Sequence, residues 1–274
     1  MLILITGGSS GIGKHLAGEY LKHGDSVIII ADGKEKLEKA RTELSVVSPN
    51  VWSYVCDVGD KYAVPEMANK VLINHGCPDV LVNNAGFATY RTFNHTPYEE
   101  MERLIDVNLL GVLRCTHCFL PAMMKRRAGH IVNIASVGGI VPITPCATYG
   151  AAKYGMVGIS SMLQYELKSY DIHIHLVCPG KVRTDFFNHE TFRNRTLRPE
   201  MEKYVLIEKV SKMIMDAIKK NRFYTVIPWS FRVQVWIKNV FPFLVEPYFK
   251  KVMLERIRLV RLDEERLKKI KENK

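Results

Sequence analysis

Short apolar runs alternate with longer amphipathic stretches from Leu2 to about Ile227, and that alternation leaves few folds open. Runs of four to six residues too apolar to have a wet face read as strands buried on both sides, which requires a parallel sheet covered by helices. The runs Leu2–Thr6, Ser26–Ala31, Val51–Cys56, Val80–Asn83, His130–Ala135, His173–Cys178 and Tyr224–Ile227 are the expected strands, with helices between them. Thr96-Pro97-Tyr98-Glu99 supplies a cap hydroxyl, a first-turn proline and a glutamate three positions on, so a long helix is expected to begin there. The expected architecture is an α/β doubly wound parallel sheet with helices on both faces over residues 1–228, followed by a helical extension over 229–274.

The first run ends in Thr6-Gly-Gly-Ser-Ser-Gly-Ile-Gly-Lys-His15, a glycine turn placed where a strand feeds a helix. Free N–H groups and the positive end of a helix dipole then face any phosphate. Gly8, Gly13 and Lys14 satisfy most of a nucleoside-triphosphate loop, and the same residues also fit a turn that cradles a dinucleotide pyrophosphate. A triphosphate loop needs a hydroxyl after the lysine to hold magnesium, and His15 is a poor substitute.

Tyr149 and Lys153 lie four apart on a predicted helix, so phenol and ammonium share a face. A fixed cation stabilises phenolate and is expected to lower the tyrosine pKa from about 10, making a usable proton carrier. Ser136 follows the strand Ile131 to Ala135, at the sheet end where ligands collect, and can hydrogen-bond a reacting oxygen. Singly, each of these residues is more often structural; together with the glycine turn they point to one site.

In these residues the chain resembles the short-chain dehydrogenase/reductases. The matching positions are Thr6 to Gly13, Cys56-Asp57-Val58, Asn83-Asn84-Ala85-Gly86, Asn108, Ser136, Tyr149 with Lys153, and Pro179-Gly180 with Thr184, in the family's order across residues 1 to about 227. The resemblance implies a Rossmann-type fold and decides for the dinucleotide. It further implies that Gly7, Ser9, Ser10, Gly11, Ile12 and Gly13 cradle the pyrophosphate and that Asp57 and Val58 bracket the adenine. Asn84, Ala85 and Gly86 would support the ribose side, and Pro179, Gly180, Val182 and Thr184 the nicotinamide end. Tyr149 would be the acid/base, Lys153 would hold the nicotinamide ribose, Ser136 would orient the substrate oxygen, and Asn108 would hold a water that links Lys153 to solvent.

The second strand runs into Asp32-Gly33-Lys34. A carboxylate there repels a 2′-phosphate and suits a ribose hydroxyl, so NAD(H) is favoured. NADP(H) stays open, because Lys34 is one turn away and because Asp32 has an alternative use as the cap of the helix that follows.

Thr184 to about Glu202 is polar, arginine-rich and weakly periodic, which suits either a lid over the site or a solvated excursion. Cys115 and Cys118 have C-x-x-C spacing but no second pair, so packing is the expected role and no metal is expected. Six scattered cysteines and a start that leads directly into a strand, with no secretory leader, set the expectation of a cytoplasmic protein with reduced thiols.

Net charge is +11, and from Lys219 onward 15 Lys plus Arg against 6 Asp plus Glu contribute +9 of it. The same tail holds nine of the 26 aromatic residues between Phe223 and Phe249, with Trp229, Val233, Trp236, Ile237, Val240 and Leu244 on one helical face. It suits a cover for the substrate pocket, a subunit interface in a homo-oligomer, or a peripheral contact with the inner face of a membrane. Nothing is long enough or apolar enough to span one, no nucleic-acid motif accompanies the charge, and Asp263 to Lys274 reads as a solvated end. The expected activity is hydride transfer between a nicotinamide cofactor and a lipophilic carbonyl/alcohol substrate. The alternative is a catalytically silent nucleotide sensor or scaffold that recruits partners through the tail.

Overall fold

Seven parallel strands form one sheet in the order β3-β2-β1-β4-β5-β6-β7. They are β1 (Leu2–Thr6), β2 (Ser26–Ala31), β3 (Val51–Val55), β4 (Val80–Asn83), β5 (Gly129–Ile134), β6 (Ile172–Pro179) and β7 (Tyr224–Ile227), within one residue of the expected bounds at each end. The structure, a computed structural model, describes residues 1–192 and 204–272, with the side chains of 267–272 left out. The helices are α1 (Gly11–Lys22), α2 (Lys34–Ser45), α3 (Ala63–His75), α4 (Tyr98–Ile105), α5 (Gly111–Arg126), α6 (Ala147–Glu166), α7 (Ile207–Lys219), α8 (Ser230–Val240) and α9 (Pro242–Glu272).

The apolar runs are explained by burial on both faces. Along β1, Ile3 and Ile5 join the core under α1, α2 and α7, while Leu4 joins the core under α3 and α5. Val27 and Ile29 repeat the first pattern on β2, Ile28 and Ile30 the second. Each of these seven side chains is fully buried, contributing on the order of 2 kcal/mol through removal from water. The order of winding reverses between β1 and β4, which are neighbours, and a crevice opens there at the carboxyl ends of the strands.

Two capping expectations fail. Thr96 turns back to donate to the Thr92 carbonyl at 3.0 Å, and α4 starts at Tyr98 without a side-chain cap. Asp32 likewise makes no cap bond to α2, whose N-cap is Gly33, so that alternative use of the carboxylate falls away. The helical stretch Tyr98–Arg126 is long and apolar enough to cross a bilayer, a property the sequence reading assigned to no segment. Packing accounts for its apolarity, since Leu104, Val107, Val112, Cys115, Phe119 and Met123 along it are all buried in this fold. Cys115 lies in the core with its thiol pushed up by burial, and Cys118 packs at the core's edge.

The tail departs most from expectation. Asp263, read as the start of a solvated end, is 2% exposed and meets Arg266 at 3.3 Å, and Val260 is also buried. Glu264 is docked as well, taking hydrogen bonds from the Thr92 amide (2.9 Å) and hydroxyl (2.8 Å) and meeting His95 Nδ1 at 2.8 Å. Residues 193–203, within the expected lid, and 273–274 lie outside the described residues.

Candidate active site

The crevice continues into a cavity of about 830 Å³ at the carboxyl ends of the strands, within the range of small-molecule and cofactor sites. Its wall includes Gly7, Ser9, Ser10, Gly11, Ile12, Asp32, Asp57, Val58, Asn84, Ala85, Gly86, Ser136, Tyr149, Lys153, Pro179, Gly180, Val182 and Thr184, so all but two of the sequence-predicted residues share one space. The two behind the wall are Gly13 and Asn108.

The glycine turn is shaped by close approach. Gly7 adopts φ +66°, and a Cβ there would stand 2.9 Å from the Ala85 Cα. At Gly13 a Cβ would strike the Gly7 carbonyl, so this glycine lets α1 close onto the turn and does not itself face the cavity. Thr6 Oγ1 accepts from the amides of Asn84 and Ala85, both at 3.0 Å, and Asn84 Nδ2 donates to the Thr6 and Gly7 carbonyls at 3.0 and 3.2 Å. The Asn84 Nδ2 therefore buckles the β1 and β4 ends together, while the residue also lines the cavity.

A second buried network fixes the helices that carry the reactive groups. Asn83 Nδ2 donates to Thr116 Oγ1 (3.1 Å) on α5 and to Asn133 Oδ1 (2.9 Å) on β5, whose own Nδ2 donates to Ser160 Oγ (2.9 Å) on α6. These four buried side chains pin α5 and α6 to the middle of the sheet, although Asn83 Oδ1 itself has no partner among the described residues. Asn108 occupies a π-helical turn, Asp106–Leu110, between α4 and α5, a distortion often found at functional sites. Its Nδ2 donates to the Phe87 and Leu104 carbonyls, both at 2.9 Å, while its buried Oδ1 has no partner among the described residues. A Cβ on Gly86 would lie 2.5 Å from that oxygen and 3.7 Å from Lys153 Nζ, which places acceptor and ammonium about one point.

Tyr149, Ser136 and Lys153 converge as expected. Ser136 hydrogen-bonds Tyr149, and its Oγ also accepts from the Gly138 amide at 3.0 Å. Lys153 Nζ donates to the Ile134 carbonyl at 2.9 Å and lies 5.7 Å from the Tyr149 ring centre. The expected lowering of the phenol is not what this arrangement does. Burial pushes Tyr149 up, with the Ser136 bond opposing it, and the ammonium is tied to a carbonyl instead of the phenol oxygen. Burial also pulls Lys153 down to about 8.

On the adenosine side, Asp57 is held by Arg103 at 2.8 Å and accepts the Gly59 amide at 2.8 Å. The lysine that reaches the cavity wall is Lys36, not Lys34, and it pairs with Asp185 at 3.2 Å. Helical phase explains the difference, since residues two apart on α2 point to different sides. Thr184 uses its hydroxyl to cap the short helical turn Asp185–Asn188 by accepting from Phe186 N at 3.3 Å.

Sequence reading missed the opposite wall, built from Tyr90, Ile143, Phe186, Phe187, Phe192 and Arg256. Phe186 stands edge-on to Tyr149 at 5.9 Å, Phe187 to Phe186 at 5.3 Å, and Phe192 lies 5.4 Å from Tyr90. The run Asp185-Phe-Phe signals an apolar lid only once its loop is known to fold over Tyr149. Arg256 comes from α9, over a hundred residues from Tyr149 in sequence, with no local signal.

The family model described as short chain dehydrogenase matches residues 1–194. Human epidermal retinol dehydrogenase 2 is 32% identical over 248 residues, 88% of this chain and 78% of that protein. A short-chain dehydrogenase from Sphingobium yanoikuyae in complex with NADPH superposes with TM-score 0.76 at 25% identity, covering 83% of this chain and 87% of that one. A Burkholderia phymatum short-chain dehydrogenase/reductase in complex with NAD shares the fold with TM-score 0.80 at 23% identity, covering 89% and 94%. Glycine turn, crevice and Ser-Tyr-Lys cluster agree with these matches, and the chain belongs to the short-chain dehydrogenase/reductase family of oxidoreductases.

Proposed function

We propose that the protein interconverts a lipophilic ketone or aldehyde and its alcohol with NAD(H) as the preferred cofactor. The observation that carries this reading is the convergence of Ser136, Tyr149 and Lys153 beneath an aromatic wall, at the end of the cavity continuous with the glycine turn. When bound, the nicotinamide supplies or accepts the hydride. The glycine turn fits a pyrophosphate, because side chains at Gly7 or Gly13 would fill the space or deform the cradle.

Ser136 and Tyr149 present two hydroxyls to a carbonyl oxygen. As negative charge grows on that oxygen, Tyr149 gives up its proton, and the Ser136 bond stabilises the phenolate left behind. Because burial keeps the phenol protonated in the free protein, the site starts in the state from which carbonyl reduction proceeds. Lys153 holds the ribose, and Asn108 Oδ1 accepts from a water that restores the proton by way of the lysine. The rings of Phe186, Phe187 and Phe192 favour an apolar substrate, and the retinol dehydrogenase named among the relatives acts in the same direction.

Asp32 at the wall disfavours a 2′-phosphate, and Lys36, the cation nearest in sequence that reaches the wall, is already engaged by Asp185. The preference is tested by kcat/KM for NADH and NADPH against a panel of apolar ketones. Tyr149→Phe keeps the ring against Phe186 and removes only the proton carrier. It is expected to leave NADH affinity within about twofold and to lower kcat by on the order of a thousandfold. Wild-type turnover in Tyr149→Phe refutes the assignment.

A further inference from the structure

The C-terminal helices carry two faces with different surroundings. The far part of α9 is docked through Val260, Asp263 and Glu264, whereas α8 has no buried residue and the first turns of α9 are largely bare. Trp229, Trp236, Phe243, Leu244 and Tyr248 are between 60% and 71% exposed. Phe241 lies edge-on to both Trp236 and Phe243, each at 6.3 Å, so these three rings form one continuous patch. Contiguous exposed aromatic surface of this kind marks an interaction site.

Charge and position identify the occupant. Residues 229 to 251 hold four basic side chains, Arg232, Lys238, Lys250 and Lys251, against the single acid Glu246. A two-fold contact with a second copy would bring this basic belt against itself, which like-charge repulsion opposes. Anionic headgroups complement it, and aromatic rings flanked by lysines suit the boundary between headgroups and acyl chains. The patch lies at the end of the sheet where the cavity is. α8 follows directly on β7, Phe231 packs beside Gly180 of the cavity wall, Met253 meets Thr144, and Arg256 of the same α9 lines the cavity.

We propose that the exposed face of α8 and the start of α9 seats in the interfacial layer of an anionic lipid bilayer and holds the cavity beside the membrane. The docking stands on these observations alone; its use, drawing substrate from the bilayer, rests on the lipophilic substrate proposed above. The test is co-sedimentation of the full chain with vesicles of phosphatidylcholine, with and without phosphatidylserine. Binding is expected only with phosphatidylserine, weakened on the order of fivefold by each of Lys250→Gln and Lys251→Gln. The double variant Trp236→Ser/Phe243→Ser is expected to lose it while keeping wild-type NADH affinity and melting temperature.

The proposal is overturned by no binding to either vesicle, by equal binding to both, or by wild-type binding in the double variant. It is also overturned if the double variant abolishes a concentration-dependent dimer while neither protein sediments. Sedimentation is read without turnover, so selective binding by a protein that reduces no ketone upholds the docking surface and sinks the substrate reading separately.

Discussion

Glu264→Ala cuts the contact that ties the far end of the chain to the substrate wall, and the structure sets the size of the effect. The carboxylate is 11% exposed and accepts from both the amide and the hydroxyl of Thr92, itself buried; the third partner, His95, is 55% exposed and contributes little. Two hydrogen bonds to a charged group, with the Thr92 amide left partnerless, amount to about 3 kcal/mol. Val260 and Asp263 still pack, so the helix stays docked in the majority state and opens more often, by about a hundredfold at 1.4 kcal/mol per tenfold. Hydrogen exchange over residues 257–266 is the assay, and the exchange rate is expected to rise by about that factor. Glu264→Gln retains an acceptor for the Thr92 amide and is expected to lose about 1 kcal/mol.

Function should follow unequally. Thr92 closes the segment that carries Tyr90, whose amide donates to Thr191 at 2.9 Å and whose ring meets Phe192, so loosening reaches the substrate wall. None of these contacts includes a residue of the glycine turn. Ketone KM is therefore expected to rise by about tenfold in Glu264→Ala with NADH affinity unchanged, tenfold corresponding to about 1.4 kcal/mol of lost substrate ordering. Unchanged exchange over 257–266, or an NADH affinity that falls as far as KM rises, refutes the reasoning.

Two predictions concern pH. Lys153 is pulled down to about 8 by burial, so it is charged below that pH and neutral above it; NADH dissociation constants are expected to rise as pH passes 8 in the wild type and to stay flat in Lys153→Met, and parallel profiles defeat the assignment. His175 is buried, donates from Nδ1 to the Arg222 carbonyl at 2.8 Å and lies 3.0 Å from His130, and burial lowers it from 6.5 to about 4. Its folded pKa lies below its unfolded one, so the stability it contributes is complete above 6.5 and is lost as pH falls from 6.5 to 4, by about 3 kcal/mol. Urea unfolding of wild type and His175→Gln at pH 7 and pH 4.5 should show a smaller acid loss in the variant; equal losses count against this account.

The sheet was legible because each strand obeys one local constraint. Ile3, Leu4 and Ile5 must all be apolar if both faces of β1 are covered, and a run of that kind announces its own strand wherever it occurs. Gly7 was legible for a similar reason: its left-handed backbone and the Ala85 backbone against it are conditions no side chain tolerates. Tyr149 and Lys153 were visible as a pair because four residues along a helix fix their common face. The direction of the Tyr149 shift was not visible, since spacing reports neighbours on one helix while desolvation depends on everything packed above it, Phe186 included.

Contacts between distant segments follow a different logic. Asp263 and Glu264 sit in a run of charged residues whose composition matches a solvated helix, yet Asp263 is buried and Glu264 is received by Thr92, about 170 residues earlier. A carboxylate is kept in such a place only by donors that meet it, and those donors come from an amide and a hydroxyl that composition does not count. Lys36 and Lys34 make the same point at closer range, because a rotation of two residues on α2 decides which ammonium reaches Asp185. Local pattern therefore specifies which element forms and which face it buries. The substrate wall proposed above needs Tyr90, Phe192 and Arg256 to meet across one cavity, and that meeting of distant segments is what sequence pattern constrains least.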